Sequence, residues 1–159
     1  MVRGGEPPVR RTGPRARWLA RGWAAVAPAT VLVLAGCTAP DGPTAEESRT
    51  EFLAALDDTQ AMLGGSWENR DDPTPRGCLL TLWADGIQYP ALRVGPDPDS
   101  VESTVRAVET LWKDWGYRTQ RTHIGAAIEL QGSEGGTLLV FRASDQGMTL
   151  QGESSCRPD

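Results

Sequence analysis

Histidine is nearly missing from this 159-residue chain: His123 is the only one. Histidine alone titrates near neutrality without a perturbed environment, and it is the commonest metal ligand. Multi-histidine metal sites and catalytic sets are therefore excluded at once. Cysteine is scarce as well, with three residues at Cys37, Cys78 and Cys156, none of them in a cluster of the kind that closes a zinc site. Long apolar runs are also absent. The uncharged run from Gly22 to Gly36 has 15 residues, whereas a membrane-spanning helix needs roughly 18 to 20. From Thr44 onward there is no internal repeat and no low-complexity tract.

What is present begins with arginine. Arg10, Arg11, Arg15, Arg17 and Arg21 precede that uncharged run, in which Val26, Val31, Leu32, Val33 and Leu34 supply the apolar residues. Basic, then apolar, then small is the order of a secretory leader. Leu34-Ala35-Gly36-Cys37 closes it and closely resembles the lipobox of bacterial lipoproteins. That resemblance implies that the Cys37 thiol receives a diacylglycerol group and that cleavage leaves Cys37 as the first residue. Ala35 and Gly36 are small enough for a narrow peptidase site. One acyl chain binds a bilayer only marginally, whereas two give stable anchoring. Arg10-Arg11 is followed by Thr12-Gly13-Pro14 and not by apolar residues, so the general secretory route is expected over twin-arginine export. The basic segment is long enough that the true translation start is expected downstream of Met1. The expected location is the outer face of the cell membrane.

Removing residues 1–36 takes away six arginines and one glutamate. It changes the net charge from −5 to −10, with 10 basic residues against 20 acidic. So acidic a domain lacks the basic footprint of a nucleic-acid binder. Anionic headgroups would repel it, so the expected membrane partnership runs through the N-terminal acyl chains. Solubility outside the cell accounts for the charge.

In an exported protein, an isolated cysteine pair forms a disulfide, and Cys78 with Cys156 is that pair. Closing a loop of about 79 residues stabilises a fold by roughly 4.5 kcal/mol on the chain-entropy argument.

The domains expected are the leader 1–36, the lipidated cysteine with a flexible tether 37–47, and one globular domain 48–159. A first helix starts at Thr44 with Glu47, or at Ser48 with Glu51, either pair making a capping box. Gly64-Gly65 ends it. Residues 66–77, with Asp71-Asp72-Pro73-Thr74-Pro75, read as a loop. Cys78–Trp83 reads as a central strand because it is apolar on both faces. Asp85-Gly86 signals a hairpin turn into Ile87-Gln88-Tyr89, a segment that Pro90 demotes to an edge or a loop. Asp99 and Glu102 open a second helix with Val101, Val105, Val108, Trp112 and Trp115 on one face, and Gly116 ends it. Four strands follow, at Tyr117–Thr122, Ala126–Gln131, Thr137–Ala143 and Met148–Glu153. The fold class is α+β: two layers, with an N-terminal helix and a crossover helix on a mainly antiparallel sheet of about five strands. The disulfide would make the first and last strands antiparallel neighbours, joined to the meander by a right-handed crossover through helix two.

Trp112-Lys113-Asp114-Trp115-Gly116-Tyr117 and Gly152-Glu153-Ser154-Ser155-Cys156 resemble stretches of small uncharacterised lipoproteins of actinobacteria. The richness in Ala, Arg and Gly fits a GC-rich genome. The resemblance implies an envelope location and brings no catalytic motif.

The chemistry-bearing residues assemble into no known signature. His123 with Ser133 or Ser144 lacks a nucleophile elbow. Asp71, Asp72, Asp97, Asp99 and Glu102 fail the calcium-loop pattern, since the sixth and twelfth positions from Asp97 are Glu102 and Val108. Gly132-Ser133-Glu134-Gly135-Gly136 lacks the lysine and the helix of a phosphate loop. No catalytic residue, metal site or cofactor is therefore expected. The expected role is non-catalytic, binding or envelope-accessory, toward an envelope protein or a small ligand. A glycan or small-ligand binder using Trp67 and Tyr89 as exposed contacts is the alternative, because these two aromatics lie on less regular segments. An envelope hydrolase using His123 or an acid pair with Asp71 stands behind it.

Overall fold

The structure is a computed structural model that describes residues 42–81 and 84–159. The leader, the lipobox with Cys37, and tether residues 38–41 lie outside the described residues. Helix α1 (Ala45–Leu63) starts where the first capping box places it. Thr44 Oγ1 accepts from the Glu47 amide at 3.2 Å, and the Glu47 carboxylate accepts from the Thr44 amide at 2.7 Å. Ser48, the alternative start, is instead buried inside the helix and accepts from Arg157 Nε at 3.1 Å. Gly64, at φ 69°, ends the helix as expected. The buried stripe is Ser48, Phe52, Leu56 and Thr59.

Helix α2 (Val101–Asp114) has Ser100 at its N-cap, one residue beyond the expected Asp99, and no side chain caps it. Val105, Val108 and Trp112 are fully buried. Gly116 takes φ 90°, and the Tyr117 amide donates back to the Trp112 carbonyl at 2.9 Å. Only a residue without a Cβ adopts that conformation cheaply, so the helix stops there. Among the described residues no helix is long and apolar enough to cross a membrane.

The described residues form eight strands: β1 (Glu68–Asn69), β2 (Arg76–Thr81), β3 (Ala84–Gln88), β4 (Pro90–Gly95), β5 (Arg118–Ile124), β6 (Ala127–Glu134), β7 (Thr137–Ser144) and β8 (Gly147–Glu153). Six form one sheet in the order β1-β4-β8-β7-β6-β5, and β2 pairs with β3 apart from it. Every pairing is antiparallel. The expected α+β architecture is present, with six strands in the main sheet where about five were expected. The four-strand meander lies where sequence placed it, its ends shifted by up to three residues.

The first strand needs correction. Cys78 lies in a two-stranded hairpin outside the main sheet, and Leu79 is 72% exposed. Leu79 and Leu80 of its apolar run have no covering layer, and Leu82 and Trp83 lie outside the described residues. The place beside β8 belongs to β4, whose Pro90 stands at the first position, where a missing N–H does least harm. Asp85-Gly86 lies within β3 and pairs with Leu79 and Cys78, so it is no turn. The crossover argument survives with β4 in the role of that strand: β4 and β5 run parallel, joined through α2.

Both helices cover one face of the sheet, because one row of the register is small at three of its four positions. Gly132, Leu139, Gly152 and Ala91 are successive partners across β6, β7, β8 and β4. A Cβ on Gly132 would stand 2.7 Å from the Trp112 ring, and one on Gly152 would stand 3.0 Å from the Phe52 ring. The aromatics of α1 and α2 thus sit in a trough that side chains would fill. Trp112 Nε1 donates to Thr59 Oγ1 at 3.1 Å, which satisfies a buried donor and ties the helices together.

Beyond β8 the chain pairs with the hairpin. The Ile87 and Arg157 backbones exchange two hydrogen bonds, of 2.8 and 3.0 Å. A disulfide joins Cys78 to Cys156, with Cα atoms 6.0 Å apart.

Candidate functional site

Alternation along the strands gives the face away from the helices its own rows. One runs Ser133, Leu138, Glu153, Pro90, and the next Gln131, Val140, Gln151, Leu92. Among the described residues no helix covers them. The segment from Arg70 to Arg76 stands over their β4–β8 end and encloses a groove of about 460 Å³. Its floor is Leu92, Leu138 and Val140, its polar lining Arg70, Asp72, Arg76, Gln151 and Glu153.

Each charge in the groove already has a polar partner. Arg70 makes two bonds to Glu68, at 2.9 and 2.7 Å, and these hold the Glu68 carboxyl below its ordinary value. Asp72 accepts from the Thr74 amide at 2.9 Å, which holds its carboxyl low, and Arg76 stands 3.9 Å away. Glu153 accepts from Gln88 Nε2 at 2.8 Å. The lining is balanced, two guanidinium groups against two carboxylates. A polyanion gains little there, whereas a ligand with apolar parts and balanced polar groups matches both floor and wall.

The wall segment is held by Arg93, an inward-facing residue of β4 that is 2% exposed. Its guanidinium bonds Asp71 of the wall at 3.0 Å, and Asp57 of α1 at 2.5 Å, and also contacts the Gln60 side-chain carbonyl. Asp71, a proposed acid of the hydrolase reading, is therefore a partner of a buried cation. Nothing in the sequence singled out Arg93, because Pro-Ala-Leu-Arg-Val carries one charge in an otherwise ordinary strand.

The aromatic pair is not brought together. Tyr89 precedes β4, while Trp67 packs on Gly95 at its far end, roughly 20 Å away at strand rise. The expectation that both are exposed is corrected. Tyr89 is buried, its hydroxyl donates to Glu46 at 2.5 Å, and Arg49 stacks 4.8 Å above its ring. That bond lowers the Glu46 carboxyl and raises the Tyr89 phenol. Trp67 is half-buried, and its Nε1 donates to the Gly64 carbonyl at 2.9 Å, which caps the end of α1. A Cβ on Gly95 would fall 2.7 Å from the indole, so glycine makes room for the ring.

His123 is exposed on the edge strand β5, and its ring makes no hydrogen bond or ion pair among the described residues. Ser133 projects from the opposite face of the sheet, and Ser144 bonds within its own turn. Glu102 is taken up by Arg121 at 2.7 Å and Arg106 at 3.3 Å. Among the described residues no three His, Cys, Asp or Glu side chains cluster as a metal site. Gly135 and Gly136, at φ 54° and 94°, form the β6–β7 turn, as expected for a hairpin.

No protein-family model matches the chain, and no curated protein matches it. Among solved structures, it is similar to a DUF4853 family protein from Actinomyces odontolyticus. The TM-score is 0.60 at 23% sequence identity, over 76% of this chain and 72% of that one. At that identity the likeness is one of fold, and it places the two-layer architecture in an actinobacterial protein.

Proposed function

We propose that the protein is a lipid-anchored extracytoplasmic domain with a non-catalytic, binding role in the bacterial envelope. Its anchor is Cys37, and its ligand surface is the groove under the 70–76 segment. The observation that carries the binding role is the uncovered sheet face, where Leu92, Leu138 and Val140 form an apolar floor beneath a charge-balanced rim. Its ligand is an envelope component without large net charge, such as a peptide segment or a small amphipathic molecule. The Cys78–Cys156 bond supports the compartment, since such bonds persist in oxidising surroundings.

Two substitutions in the full chain test the two halves of this reading. Cys37→Ser abolishes fatty-acid labelling and leaves the protein unprocessed or outside the membrane fraction. Leu138→Glu leaves labelling intact and weakens binding of envelope-derived peptides at least tenfold by calorimetry. Labelling that persists in the first variant removes the anchor. Peptide binding unaffected by the second removes the groove.

A further inference from the structure

The tether and the β2–β3 hairpin meet at one end of the domain. Gly42, the first described residue of the tether, lines a cavity together with Ile87 of β3 and Arg157. A Cβ on Gly42 would stand 3.7 Å from the Arg157 guanidinium. Arg157 is bonded to Ile87 through the backbone, and its neighbour Cys156 is bonded to Cys78, beside Leu79. Four residues separate Cys37 from Gly42, and even fully extended they span at most roughly 18 Å. A bilayer holding Cys37 is therefore held close to this hairpin.

The hairpin is unusual in what it exposes. Leu79 is 72% and Leu80 37% exposed, and the register is irregular between Leu79 and Thr81, so Leu80 stands at a bulge. Two adjoining leucines are thus open at once where the ladder is broken. The short tether keeps a bilayer within reach of them, and a fluid lipid layer covers such an irregular apolar edge without a shaped partner surface. The net charge of −10 from Cys37 onward excludes attraction to anionic headgroups as the source of contact, which leaves apolar insertion. Asp85, opposite Leu79 in the register, would hold such an insertion to the depth of the interface.

We propose that the β2–β3 hairpin is a second membrane contact, its Leu79 and Leu80 entering the interfacial layer of the bilayer that carries the Cys37 acyl chains. This rests on the lipid-anchor reading above. The disulfide and the Ile87–Arg157 bridge would hold the hairpin against the body of the domain while it is inserted. The domain would then sit in one orientation on the membrane instead of swinging on its tether.

The test uses full-length protein exported into cell membranes that contain a phospholipid with a photoactivatable diazirine in its acyl chain. Adducts are mapped by mass spectrometry. Leu79 and Leu80 are expected to carry adducts severalfold above Ile124, which is 51% exposed on the edge strand β5. A Leu79→Ser, Leu80→Ser variant is expected to lose most of them while retaining its disulfide by mass. Adducts at the Cys37 peptide with none at Leu79 or Leu80 overturn the hairpin contact and leave the anchor standing. Adducts at Leu79 and Leu80 without an acylated Cys37 overturn the anchor and leave the hairpin contact. Leucines free of adducts yet shielded from hydroxyl-radical footprinting, because a second copy or another protein covers them, overturn the proposal too.

Discussion

Arg93 shows what a single buried charge does in this fold. Its side chain lies on the helix-facing side of β4 and reaches out to Asp71 and Asp57, so one residue ties the sheet to α1 and to the wall of the groove. Replacing it by methionine keeps the apolar stem and removes the charged head. Because Asp57 is largely exposed, its charge can return to water. The cost is expected at about 1–3 kcal/mol by urea unfolding, in the range of lost hydrogen bonds to charged groups. The groove should also shrink or open as Asp71 is released, visible as faster amide exchange across residues 70–76. Two glycines give a graded comparison. At Gly132 an added methyl meets the Trp112 ring at 2.7 Å, which repacking relieves in part; at Gly152 it meets the Leu138 carbonyl oxygen at 2.0 Å. Backbone cannot rotate away as a side chain can. Gly132→Ala is expected to cost about 1–3 kcal/mol, as overpacking does, and Gly152→Ala more, in the same denaturation experiment.

At the scale of elements, the disulfide fastens a hairpin and not the core. Cys78 belongs to a two-stranded ribbon, which on its own is marginally stable in water, while Cys156 follows the central strand β8. A Cys78→Ser, Cys156→Ser variant should therefore lose protection first along residues 76–81 and 84–88, with β6 and β7 still protected. Hydrogen exchange resolved by residue reads this difference. Global stability is expected to fall by about 2–5 kcal/mol, the range for removing a native disulfide from a small domain. Uniform loss of protection across both sheets would mean that the bond braces the whole domain. The helices divide similarly. α1 is fixed at its ends by a capping box and a glycine stop, whereas α2 has no side-chain cap and is held by the burial of Val105, Val108 and Trp112.

For the whole molecule, the balance of carboxylates sets the response to acid. Glu46, Glu47, Glu68, Asp72, Glu102, Glu109 and Glu129 are all held below their ordinary values by hydrogen bonds. For Glu46 the chief donor is Tyr89, for Glu102 Arg121 and for Glu129 Gln131, with Arg142 next. The unfolded chain takes up protons at these groups that the folded chain refuses. Their stabilisation is therefore complete above the ordinary carboxylate range and lost as pH falls through the lowered folded values. Tm is expected to be nearly level from about pH 7 to pH 5 and to drop steadily below about pH 4.5. Calorimetric scans across that range check it; a Tm that rises on acidification would contradict it.

The order of local signals along the chain was enough to place both helices and the four-strand meander. Thr44 with Glu47, the glycines at 64 and 116, and the alternation in β6 act through neighbours a few residues away. Such signals survive without knowledge of the rest of the fold. The pairing of Cys78 with Cys156 was likewise readable, because only two thiols remain once Cys37 is set aside. Burial was not readable for Cys78-Leu79-Leu80-Thr81, since an apolar run states what prefers to be covered and not whether a layer is there to cover it. Pro90–Gly95 became a strand of the main sheet, despite its proline and an inward arginine, because Asp57 and Asp71 arrive from elsewhere to neutralise Arg93. The groove depends on the same kind of encounter. Leu138 and Glu153 become neighbours only through strand register, and Arg70 and Arg76 reach them only once the wall is held in place, so that surface is decided by long-range packing alone.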